Sequence, residues 1–115
     1  MKTLYIAGPY RAATGAQIRE NIRRASDAFA EVLRAGFAAV CPHTMTAEFD
    51  YLHPDIADDV YLQMDLELLR RCDAVLLLPG SEKSSGARAE VAFANENCIP
   101  VFATLQAAQD WFAGK

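Results

Sequence analysis

Four apolar runs mark the chain: Leu4-Tyr5-Ile6-Ala7, Phe37-Ala38-Ala39-Val40-Cys41, Ala74-Val75-Leu76-Leu77-Leu78, and Ile99 to Ala103. The first three end at Gly8-Pro9, Pro42 and Pro79-Gly80. Short, nearly unbroken apolar runs suit strands covered on both faces, as in a parallel sheet. Between them the period becomes helical. Ile18, Ile22, Ala25, Phe29, Val32 and Leu33 recur at helical spacing, and Gly36 supplies a C-terminal stop. Further helices are predicted from about Asp59 to Arg71 and from about Ser85 to Asn97. Thr104 caps a last helix carrying Leu105, Ala108, Trp111 and Phe112. Residues 42 to 58 follow neither period and read as an irregular segment. Strand and helix therefore alternate, which predicts an α/β protein with a mainly parallel sheet.

Composition narrows the class. With 115 residues and 52% hydrophobic content, the chain is predicted to be a single domain over residues 1–115. A net charge of -4 provides no field for polymeric nucleic acid or an anionic membrane. Cys41, Cys72 and Cys98 are odd in number, form no C-x-x-C pair, and adjoin apolar runs. They read as buried free thiols in a reducing cytoplasm. The first residues lack a signal-peptide pattern, and no apolar run approaches the roughly 18 residues of a membrane span. A soluble, unexported protein is expected. His43 and His53, among Asp50, Asp55, Asp58 and Asp59, match no metal-binding motif and read as solvated loop residues.

In a parallel sheet, ligands gather beyond the carboxyl ends of the strands. Three loops lie there: Gly8-Pro9-Tyr10-Arg11, Pro42-His43-Thr44, and the stretch from Pro79 to Gly86. Glycine and proline are ordinary punctuation at such ends, whereas Arg11 and the serines ask for a further reason. Ser84, Ser85 and Gly86 open a helix. One serine is explained by N-capping; the second hydroxyl, the glycine, the helix dipole and the basic Lys83 and Arg88 together suit an anion. No P-loop run and no G-x-G-x-x-G follow the strands, which argues against a nucleoside triphosphate or a dinucleotide. Glu90 falls about 60° from the centre of the stripe Ala87, Val91, Ala94, Cys98 at roughly 100° per residue. Asp65 has a similar offset of about 60° from the stripe Leu62, Leu66, Leu69. A carboxylate at the margin of a buried face is paired or used. Arg88 and Arg70 are the arginines that would pair with them.

Tyr5-Ile6-Ala7-Gly8-Pro9-Tyr10, Asp65-Leu66 leading through Cys72-Asp73-Ala74-Val75, and Ser84-x-Gly86-x-x-x-Glu90 resemble the nucleoside 2-deoxyribosyltransferase superfamily over about residues 4–102. The chain is similar also to 2'-deoxynucleoside 5'-monophosphate N-glycosidases. The resemblance implies a flavodoxin- or Rossmann-like three-layer sandwich with four to five strands, and cleavage of the bond between a nucleobase and C1' without metal or organic cofactor. It implies Glu90 as nucleophile, Asp65 as proton source, and Tyr5 as the hydroxyl that orients the glutamate. Gly8, Pro9, Tyr10, Arg11, Ser84, Ser85 and Gly86 are the implied substrate-binding residues. Ser84 stands where nucleoside-specific members resemble an aspartate, and Arg11 matches an arginine of the nucleotide-hydrolysing ones, which favours a 5'-monophosphate. Pro9 departs from the serine of those members. A homodimer, with sites completed across the interface, is also implied. The competing expectation is a nucleotide-sensing module that never turns its ligand over.

Overall fold

Four parallel strands are hydrogen-bonded in the order β2-β1-β3-β4: β1 (Thr3–Ala7), β2 (Ala38–Val40), β3 (Ala74–Leu77) and β4 (Val101–Phe102). The computed structural model describes residues 1–114. Tyr5 lies opposite Val40 on one side and Val75 on the other, so β1 is an interior strand. Among the described residues six helices connect and flank the strands: α1 (Gly15–Arg34), α2 (Pro42–Met45), α3 (Phe49–Leu52), α4 (Asp58–Leu69), α5 (Ser85–Glu96) and α6 (Leu105–Ala113). A 3-10 turn occupies Ser81–Lys83.

Alternation along the strands sorts side chains to two faces. Leu4 and Ile6 pack with Ala25 and Val32 of α1 and Ala108 of α6. Tyr5 and Ala7 pack with Leu69 of α4 and Ala94 of α5. This is the three-layer, flavodoxin-like arrangement expected from the sequence. Leu4, Tyr5 and Ile6 are wholly buried, and removing each from water contributes roughly 1.5–3 kcal/mol.

The helix ends follow their sequence signals. Thr14 and Thr104 accept from Gln17 N–H and Ala107 N–H, each at 3.1 Å, and cap α1 and α6. Gly36 ends α1 in the left-handed region at φ 89°, where the N–H of Gly36 bonds to Leu33 and that of Phe37 to Val32. Two boundaries differ from expectation. β4 starts at Val101, because Pro100 has no N–H for the ladder and Cys98 takes φ 58°. Residues 42–58 hold two four-residue helices, α2 and α3. Pro42 starts α2 with its preset φ, and both helices are too short to leave a hydrophobic period. Cys98 is exposed rather than buried, whereas Cys41 and Cys72 are buried as expected. Among the described residues no helix is long and apolar enough to cross a membrane.

Candidate active site

The strand order sets the location of the cleft. From β1 the chain passes through α1 to β2 on one flank, then returns through α4 to β3 on the other. The loops after β1 and β3 consequently diverge, and an opening forms beyond their carboxyl ends. A cavity of about 490 Å³ occupies it. Gly8, Tyr10 and Arg11 line it from the loop after β1, Ser84, Ser85 and Gly86 from the start of α5, and Asp65 and Glu90 from α4 and α5. The two acids that the helical wheel singles out thus face one cavity.

Among the described residues, neither acid is held by an arginine. Arg70 pairs with Glu67, and Arg88 reaches the carbonyl of Glu82, at 3.5 Å. Glu90 is 7% exposed, and its Oε2 accepts a hydrogen bond from the Tyr5 hydroxyl. Tyr5 does not line the cavity; it lies beneath Glu90, fully buried. Burial raises the Glu90 pKa to about 7, with the Asp65 charge adding to the rise and the Tyr5 hydroxyl opposing it. Burial likewise raises Asp65 to about 6. Tyr5 is pushed well above the ordinary tyrosine value, by burial first and then by the Glu90 and Asp65 charges. It stays protonated and can only donate to the carboxylate.

At the start of α5, the Ser84 hydroxyl accepts from Ala87 N–H at 3.2 Å as the N-cap. Its own proton remains available to a ligand. Gly86 has open space where a side chain would stand, and it is part of the cavity lining. Lys83 also lines this side.

The opposite side holds groups the sequence did not reveal. Arg11 grips Asp50 with both terminal nitrogens, at 2.6 and 3.1 Å, and reaches Asp58 at 2.6 Å. Its guanidinium lies over the Tyr10 ring, 5.2 Å from the centroid, and the Tyr10 hydroxyl donates to Asp50 at 3.3 Å. Asp50 and Asp58 are therefore not merely solvated loop residues. Their pairing with Arg11 spans 39 and 47 positions, beyond the reach of any local pattern.

His43 is a clearer correction. It is 6% exposed, packs edge-on against Tyr10, and lies 2.9 Å from the Pro9 carbonyl through Nε2. A carbonyl only accepts, so Nε2 donates; burial lowers the His43 pKa and keeps the ring neutral. Among the described residues Nδ1 is then a bare acceptor without a partner, and the buried Tyr61 hydroxyl, also in the cavity lining, is similarly unpartnered. Pro9 contributes this carbonyl contact but is not part of the lining.

The sequence profile described as Domain of unknown function (DUF7768) matches residues 2–104. The chain belongs to that family. No curated protein matches it. Among solved structures, a 2-deoxyribosyltransferase from the psychrotolerant bacterium Bacillus psychrosaccharolyticus is similar, with a TM-score of 0.62 at 16% identity. The match covers 86% of this chain and 69% of the other. At that identity the likeness shows a shared fold for this DUF7768 member, and function has to be argued from the site.

Proposed function

We propose that the cavity cleaves the N-glycosidic bond of a nucleoside or nucleoside 5'-monophosphate, ribo or deoxy, as a hydrolase or a deoxyribosyltransferase. The observation that carries this reading is the meeting of Glu90 and Asp65 in one cavity, neither of them paired with an arginine among the described residues, with the Tyr5 hydroxyl bonded to Glu90. Glu90 is the nucleophile, because a donated hydrogen bond orients its carboxylate. Asp65 lines the same cavity and makes no hydrogen bond among the described residues, which leaves its carboxyl free to serve as the proton donor.

As the bond from C1' to nitrogen breaks, a Glu90 oxygen bonds to C1' and Asp65 gives its proton to the departing nitrogen. The developing positive charge on the sugar is stabilised by the anionic partner. Water, deprotonated by Asp65, then displaces Glu90 and frees the sugar; a second nucleobase in the place of water gives transfer. The Nδ1 acceptor of His43 and the Tyr61 hydroxyl are suited to the polar edge of the base. The structural neighbour's name, 2-deoxyribosyltransferase, agrees with this chemistry.

The reading includes a cytoplasmic homodimer. Its support is the three free thiols and the exposed apolar side chains Met45, Tyr51, Leu52, Val60 and Met64 along the segment beside the cavity. Sedimentation of a single monomeric species at micromolar concentration would exclude the dimer.

The enzymatic claim is tested by chromatography after incubation with ribo- and deoxyribonucleosides and their 5'-monophosphates. Free base is expected from at least one of them. Saturable binding without base release would leave a sensing module instead.

A further inference from the structure

We propose that Asp50 and Asp58 make this cavity select its ligand by charge: by filling the fork of Arg11 they bar a phosphate from that end and favour the uncharged nucleoside. The inference rests on the glycosidic reading only for the identity of the ligand. Its geometric basis stands apart.

Arg11 looked, in sequence, like a guanidinium awaiting a phosphate. Its donors are instead committed to two carboxylates from two different elements, Asp50 on α3 and Asp58 at the first position of α4. The bidentate contact to Asp50 is the geometry a phosphate would itself use. One cation against two carboxylates leaves this cluster net negative. Asp59, Asp65 and Glu90 add acidic groups to the same lining, and Lys83 is the other cation there. A phosphate dianion must therefore displace carboxylates from Arg11 and approach remaining negative charge. A neutral nucleoside meets neither obstacle.

The pairs are solvent-accessible, with Arg11, Asp50 and Asp58 side chains 51%, 44% and 77% exposed, so their effect on folding is small. Their effect on ligand choice is larger, because like charges brought together at a binding site penalise the wrong ligand.

Calorimetric titration tests the proposal with three kinds of probe: 2'-deoxynucleosides, their 5'-monophosphates, and inorganic phosphate. The wild-type chain is expected to bind a nucleoside about tenfold or more tightly than its monophosphate, with the gap narrowing in high salt. The Asp50→Asn/Asp58→Asn variant should raise the monophosphate-to-nucleoside affinity ratio about ten- to a hundredfold, and should strengthen binding of inorganic phosphate similarly. Adding Arg11→Ala should abolish that gain. Each variant's thermal melt checks its folding. A wild-type preference for the monophosphate, or phosphate affinity unaltered in the double variant, overturns the proposal. The two readings fail separately: a gain in phosphate affinity through Arg11, with no base released from any nucleoside or 5'-monophosphate, would keep charge selection and remove the glycosidic function. Base release with unaltered phosphate affinity would do the reverse.

Discussion

Glu90 is stable as an anion only at a cost to the fold. Its folded pKa of about 7 lies above the ordinary 4.5, so protonation favours the native state. The resulting stability is fully present below about pH 4.5 and is lost as pH rises through about 7. By pH 8 the burden is on the order of 3 kcal/mol. Glu90→Gln removes the charge and retains an acceptor for Tyr5. Its melting temperature is therefore expected to exceed the wild type by several degrees at pH 8, with the difference nearly gone at pH 4.5. Melting curves that stay parallel across this range would show that Glu90 carries no such burden. The position of this acid, like that of Asp65, was legible from sequence because a charge beside an apolar stripe is detectable in a single helix. The engagement of Arg11 by Asp50 and Asp58, and the burial of His43 against Pro9 and Tyr10, were not. They depend on loops far apart in the chain, and a histidine amid aspartates looks the same in sequence whether solvated or buried.

The elements were predictable where local chemistry dictates them. Ser84 and Thr104 each cap the helix that follows, and Gly36 ends α1. α5 ends by the same hydrogen-bond pattern without a glycine. Cys98 N–H reaches Asn95 and Ile99 N–H reaches Ala94, at 3.4 and 2.9 Å, while Cys98 takes φ 58°. A side chain in that region is strained by roughly 1–2 kcal/mol, which hid the helix stop from sequence inspection. Cys98→Gly relieves the strain, partly offset by a freer unfolded chain, so a gain of about 0.5–1 kcal/mol in denaturant unfolding is expected. A loss would mean that the cysteine side chain contributes packing that outweighs its backbone strain. The short α2 and α3 escaped prediction because four residues complete barely one turn, and that is too little for periodicity to register.

Across the whole molecule, strand order does what no segment can do alone. β1 lies between β2 and β3, so loops that are far apart in sequence open onto a common cleft, and α4 and α5 bring their acids to it from adjacent positions on one face. The alternation of runs made a parallel sheet foreseeable, and the carboxyl-end rule located the cleft; side-chain pairing across it required coordinates. The proposed chemistry is tested by single-turnover base release with excess protein, comparing the wild type, Glu90→Gln and Asp65→Asn on whichever nucleoside or nucleotide is cleaved. The Glu90→Gln variant should bind that compound and release base about a thousandfold more slowly, with Asp65→Asn also strongly impaired. Undiminished base release by Glu90→Gln would contradict the assignment of this cavity as the site of glycosidic cleavage.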